Sequence, residues 1–171
     1  MASRRLWRAQ GGSFNIPMTE FGTRYFGEIT YRPESVIEFP LGLPGFEKER
    51  RFLLIEQEVN KPVVFLQSLS RPELCFIAVP VQGIVPGYEL TLTAEELRTL
   101  DLAEDRQPVA GEDAICLALV SLAQDRPPTA NLLSPIIINW RKCLAVQSVQ
   151  TDSSYSHQHP LFAQNIEAQC S

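Results

Sequence analysis

Polar and apolar side chains alternate through residues 24–31, with Tyr25, Gly27, Ile29 and Tyr31 on one face and Arg24, Phe26, Glu28 and Thr30 on the other. A period of two is the signature of a β-strand. Residues 36–39 supply a second short strand that Pro40 breaks, and Leu41-Gly42-Leu43-Pro44-Gly45-Phe46 has the Pro-Gly chemistry of a tight turn. Strand-like runs follow at residues 51–56, 63–69, 74–81, 88–92, 114–122, 131–139 and 143–150, about nine strands in all. One segment reads as helix: Thr93 can cap it, Glu96 stands three residues later, and Leu97 and Leu100 repeat at helical spacing. Closely spaced strands with a single short helix predict an all-β fold, a compact antiparallel β-barrel-like domain, rather than βαβ units.

Composition agrees with one globular unit: of 171 residues, 44% are hydrophobic and 20% charged. Thirteen prolines against nine glycines argue against long helices, since proline removes a backbone donor and clashes with the preceding turn. No apolar run approaches the roughly 20 residues that a membrane-crossing helix needs. Residues 1–17 carry Arg4, Arg5 and Arg8, no acid and a Gly-Gly pair. They are expected to be a disordered basic tail, too poor in apolar residues for a secretory signal and possible to exclude as a start-site artefact. The folded domain is expected at 18–162, and the polar, unpatterned residues 163–171 as a flexible C-terminal tail. Cys75, Cys116, Cys143 and Cys170 form no C-x-x-C pair; as reduced thiols they point to the cytoplasm.

The chemistry that the sequence excludes is broad. It contains no G-x-S-x-G elbow, no Walker-type loop and no G-x-G-x-x-G, so neither a hydrolase nor a nucleotide-dependent enzyme is expected, and no cofactor. His157 and His159 share a spacing of two but lack a third ligand nearby, so no metal site is expected either. Arg4 and Arg8 have the R-x-x-x-R spacing of a PilZ-type cyclic-dinucleotide arm, without the polar element that must follow it. A net charge of −5 disfavours direct nucleic-acid binding. The charge is concentrated: Glu89, Glu95, Glu96, Asp101, Glu104, Asp105, Glu112 and Asp113 face only Arg98 and Arg106 between residues 88 and 113, a local net of −6. Such a segment can steer a basic partner, with Glu95, Glu96, Asp101 and Asp105 as the expected steering surface, or can be a solvated helix and loop.

Several blocks, taken in order, resemble the flagellar assembly factor FliW family. They are Thr23-Arg24-Tyr25-Phe26-Gly27-Glu28-Ile29, Ile37-Glu38-Phe39-Pro40-Leu41-Gly42-Leu43-Pro44-Gly45-Phe46-Glu47, Phe65-Leu66-Gln67-Ser68-Leu69, Asn131-Leu132, Pro135-Ile136-Ile137-Ile138-Asn139 and His159-Pro160-Leu161. The resemblance implies a non-enzymatic protein that binds and antagonises the RNA-binding translational repressor CsrA, and that also binds flagellin, coupling flagellin synthesis to export. A flagellin-binding chaperone without the CsrA role is the alternative. The sequence departs from the family at Leu133 and Ser134, where N-L-R-A-P is usual, and at Gln158, where Arg usually precedes His-Pro. Pro135 cannot donate to a ladder, so the 131–139 strand is expected at or near a sheet edge, open to a partner together with the 43–46 turn. The candidate contacts are Phe39, Pro44, Gly45, Phe46, Gln67, Asn131, Pro135, Ile137 and Asn139.

Overall fold

A computed structural model describes residues 17–151 and 154–162 together with the backbone of residues 4–6. Seven strands close a barrel: β4 (Ile37–Glu38), β5 (Arg51–Gln57), β6 (Val64–Ser68), β7 (Cys75–Pro80), β8 (Ile115–Ala123), β9 (Arg126–Asn139) and β10 (Leu144–Gln147). The circuit runs β5-β4-β10-β9-β8-β7-β6 and returns to β5. All its pairings are antiparallel except β10 with β4, which is parallel at Leu144 and Glu38. Outside the circuit, β1 (Arg4–Leu6) pairs with β5, the hairpin of β2 (Thr19–Thr23) and β3 (Gly27–Tyr31) forms its own sheet, and β11 (His159–Pro160) pairs with β9.

Apolar residues point to both sides of this wall. All seven barrel strands contribute to the interior, including Ile37, Phe52, Leu54, Leu66, Ala78, Leu117, Ile136, Ile138 and Ala145, with Phe39 and Leu43 from the turn that follows β4. The alternate residues of β5, Leu53 and Ile55, face outward and are buried beneath Phe26, Ile29 and Tyr31 of the β2–β3 hairpin. On the far side, Val79, Cys116, Ala118, Leu132, Ile137 and Val146 face outward beneath Tyr88, Leu90, Leu92, Leu97 and Leu100. Because a strand turns successive side chains to opposite faces, double-sided burial makes 52–55 and 136–138 continuous apolar runs rather than alternating ones.

The elements depart from the sequence expectations in three places. Residues 24–31 are not one strand: a turn at 24–26 separates β2 from β3, with Thr23 Oγ1 accepting from the Phe26 N–H at 2.9 Å and donating to the Gly27 carbonyl at 2.8 Å. Residues 88–92 join no ladder, although alternate side chains, Tyr88, Leu90 and Leu92, are buried. The backbone of Thr91 and Leu92 bonds to side-chain amides instead: Leu92 N–H donates to Gln107 Oε1 at 2.7 Å, and Thr91 N–H to Gln150 Oε1 at 2.8 Å. The same two amides return a donor to the Leu92 and Thr91 carbonyls at 3.0 and 3.2 Å. The third departure is that three residues of the basic N-terminal stretch, Arg4–Leu6, form a strand; the remainder of 1–16, and residues 163–171, lie outside the described residues.

Proline in β9 marks a bulge, not an edge. Ile136 pairs with Leu117 while Asn131 pairs with Leu119, so β9 spends four intervening residues where β8 spends one. Pro135 is buried there, and its carbonyl accepts from the Ser148 N–H at 3.0 Å. β9 is an interior strand with β8 on one side and β10 and β11 on the other. Ile137 is 0% exposed and packs in the outer core. Ile137→Ala is expected to cost about 2 to 5 kcal/mol of stability, read as a lower midpoint in urea unfolding with an unchanged slope.

Candidate functional site

The segment that covers the outer core, residues 81–113, also carries the acidic stretch. Its helix α1 (Ala94–Thr99) begins with a capping box: Thr93 Oγ1 accepts from the Glu96 N–H at 3.2 Å, and Glu96 Oε2 accepts from the Thr93 N–H at 2.8 Å. This pairing satisfies two donors that a helix start leaves open. Leu97 and Leu100 turn inward, so the polar residues of the same turns are left on the surface. The helix end is fastened by Asn139, whose Nδ2 donates to the Leu100 carbonyl at 2.8 Å while its Oδ1 accepts from the Arg141 N–H at 3.2 Å.

Half of the eight carboxylates are already engaged. Glu96 caps the helix, Glu104 accepts from Arg98 at 2.9 Å, and Asp101 pairs with Lys142 at 2.7 Å. Asp113 takes both guanidinium nitrogens of Arg106, at 2.7 and 2.8 Å, and also the Val109 N–H at 2.8 Å. The Arg106 hydrogen bonds first, and then the Val109 N–H, hold the Asp113 carboxyl well below the usual carboxylate range. Glu89, Glu95, Asp105 and Glu112 are exposed and have no ion pair among the described residues. Of the steering set expected from sequence, Glu95 and Asp105 are therefore exposed and outside any ion pair among the described residues, while Glu96 and Asp101 are partly spent on structure. Glu89 and Glu112 belong with Glu95 and Asp105. The capping-box spacing of Thr93 and Glu96 already signals the use of Glu96; the Lys142 partner of Asp101 has no local signal in the sequence.

The expected partner contacts divide by burial. Phe39, Gln67 and Ile137 are 0% exposed and Asn139 is 4% exposed; with buried Pro135 they present no surface to a partner, so they are corrected to parts of the scaffold. Phe39 packs edge-to-face on Phe52 at 5.2 Å. Gln67 Nε2 donates to the Ser68 and Leu74 carbonyls at 2.9 and 3.1 Å, pinning the loop between β6 and β7. Asn131 is half-buried and its Oδ1 accepts from the Ser134 N–H at 2.9 Å, bracing the β9 bulge. In the 41–46 turn Leu41, Pro44 and Gly45 are open to solvent, while Gly42 and Leu43 are buried. Gly42 is required in it, because φ is +71° and a Cβ would lie 2.6 Å from the Glu47 carbonyl oxygen. Glu47 Oε1 accepts from the Gly45 N–H at 2.8 Å, which fixes exposed Pro44 and Gly45, while half-buried Phe46 packs on Phe76 at 5.2 Å. Leu41 is 58% exposed beside them.

No group of three or more His, Cys, Asp or Glu able to hold a metal ion occurs among the described residues. His159 lies on β11 opposite Ala130, and His157 is exposed in the turn before it. Of the thiols, Cys116 is buried, and burial pushes it up to about 12; Cys75 is half-buried and raised to about 11 for the same reason. No helix among the described residues is long and apolar enough to cross a membrane.

Two outcomes follow for the cover. Asn139→Ala removes the donor that satisfies a buried helix-end carbonyl and is expected to lower stability by about 1 to 3 kcal/mol in chemical denaturation; unchanged stability would show that this bond does not fasten the helix end. Asp113, with its pKa depressed in the folded chain, contributes stability that is present above its ordinary value of 3.8 and is lost as pH falls through the folded value. In a carboxyl-detected NMR titration Asp113 should still be ionised at pH 3.8, and Arg106→Ala should move its midpoint upward.

Comparison with known proteins adds what geometry alone does not. The model of the family described as FliW protein matches residues 20–161. The flagellar assembly factor FliW of Syntrophomonas wolfei is 36% identical over 137 residues, which cover 80% of this chain and 84% of that one. The flagellar assembly factor FliW of Bacillus subtilis is 33% identical over 140 residues, covering 81% and 94%. A solved structure described as the crystal structure of the flagellar assembly factor FliW superposes with a TM-score of 0.75 at 29% identity, covering 86% of this chain and all of that one. With the match running from β2 through β11, this chain belongs to the FliW family of flagellar assembly factors.

Proposed function

We propose that this protein is a non-enzymatic cytoplasmic antagonist of a CsrA-type RNA-binding repressor, and that it also binds flagellin. Flagellin that accumulates before export takes the protein away and frees the repressor to act on its messenger. The observation that carries the reading is the set of exposed carboxylates at Glu89, Glu95, Asp105 and Glu112 on a cover that Gln107 braces internally and that Asn139 and Gln150 pin to the barrel. A surface that binds RNA must be basic, so an acidic face on a rigid base attracts such a protein and repels the phosphates that compete for it. Membership of the FliW family supports the flagellar setting. The protein itself has no need to touch nucleic acid or membrane.

Charge on an exposed face acts chiefly on the association rate and is screened by salt. Replacing Glu89, Glu95, Asp105 and Glu112 together by their amides should therefore slow association with CsrA about tenfold or more at low ionic strength and flatten its salt dependence, as read by stopped-flow or surface plasmon resonance. Glu96 and Asp101 are left alone because they hold the helix start and the Lys142 contact. An unchanged rate would rule out steering by this face, whereas absence of CsrA binding by the parent protein with flagellin binding intact would remove the repressor role and leave the chaperone reading.

A further inference from the structure

The outer edge of β5 is a strand-acceptor site, and its geometry follows from the pairing on the other edge. The Leu69 N–H donates to the Arg51 carbonyl at 2.9 Å. In an antiparallel ladder alternate residues point their backbone groups to alternate sides, so Arg51, Leu53 and Ile55 serve β6, and Phe52, Leu54 and Glu56 serve the opposite edge. There β4 is only two residues long and its register ends at Phe52, opposite Ile37. Before it the chain turns away through a short helical turn at Pro33–Ser35 toward the hairpin. The edge beyond Phe52 would be an open row of donors and acceptors, which is a template for another strand.

Three residues of this chain occupy that row: Arg4, Arg5 and Leu6 lie opposite Gln57, Glu56 and Ile55. The facing backbone pair is Arg5 with Glu56. Glu56 is half-buried and has no ion pair among the described residues, so the register position opposite it suits a basic residue. Three residues are a short ladder, and twelve residues connect it to β2, which begins at Thr19. A carboxylate beside this edge favours an extended segment with a basic residue at the register position of Glu56, and the present occupant pairs over three residues only.

We propose that the β5 edge at Ile55–Gln57 is a second binding site, separate from the acidic cover, that accepts an extended basic segment of a partner protein by strand addition. The chain's own N-terminal strand fills the site in cis and must leave before a partner segment enters. This makes the arginine-rich N-terminus an intramolecular competitor, and it does not depend on the CsrA reading.

The test uses the full chain with Arg5→Pro, which removes the N–H that faces Glu56, and Arg5→Gln, which removes only the charge. The probe is a labelled synthetic peptide of residues 1–10 followed by fluorescence anisotropy, with amide hydrogen exchange as the second readout. In Arg5→Pro the Glu56 amide should exchange about tenfold faster or more, while the Phe52 amide, paired through β4, keeps its protection. The same variant should bind the peptide at least about tenfold more tightly than the parent chain, whose site is filled. Adding Glu56→Arg should abolish that gain, and Arg5→Gln alone should give a smaller gain than Arg5→Pro. Equal peptide binding by parent and Arg5→Pro, or binding by neither, overturns the proposal. So does loss of Phe52 protection, which would make the N-terminal strand a fixed part of the barrel rather than an exchangeable occupant.

Discussion

A barrel wall that is apolar on both faces cannot stand alone in water. Ile136 and Ile138 of β9 pack inward while Ile137 between them packs outward, and β5 repeats the arrangement with Phe52 and Leu54 against Leu53 and Ile55. Each outward face therefore needs its own cover. The β2–β3 hairpin supplies one and residues 81–102 the other, and together they turn a small closed sheet into three contiguous cores. At about 25 cal/mol for each square ångström of apolar surface removed from water, each cover contributes stability in proportion to the outward apolar surface it hides.

The charge distribution is a consequence of that requirement. A cover one segment thick can spend its inward positions on Leu90, Leu92, Leu97 and Leu100 only by turning its remaining side chains outward. Those outward positions hold the acids. The surface that can steer a partner is thus the reverse side of the second core, and the residues that fasten the cover also set where its charges point. Part of the acidic set is consumed in that fastening, at Glu96, Asp101, Glu104 and Asp113, which is why the number of acids in the segment overstates the field that a partner meets.

Much of the architecture was legible along the chain because its signals are local. Strand periodicity and Pro-Gly punctuation mark β5 to β10, and the Thr93 and Glu96 spacing marks α1. What was not legible depends on partners far away in sequence. Residues 88–92 have strand composition, yet their ladder is built from Gln107 and Gln150, 15 and 59 positions distant. Pro135 reads as an edge because a missing donor is tolerated there, but a bulge tolerates it equally, and only the four-for-one register against β8 distinguishes them. Asn139 has the look of a surface hydrogen-bonding residue; burial and the Leu100 carbonyl make it a fastener. At Arg4–Leu6 the sequence pattern shows no strand at all, since the pairing rests on the vacancy that β4 leaves beside β5.

The amide clamp on residues 91–92 depends on a side-chain chemistry that can age. Gln107 and Gln150 each offer an acceptor and a donor from one planar group to one backbone residue, a match that no carboxylate can reproduce. Spontaneous deamidation of either side chain would convert the donor half to a second acceptor facing a carbonyl, loosening the cover within itself at Gln107 and its mounting at Gln150. Glutamine ages far more slowly than asparagine, because its side chain closes on the following backbone nitrogen through a less favourable ring. The longer amide therefore gives the clamp both its reach and its durability.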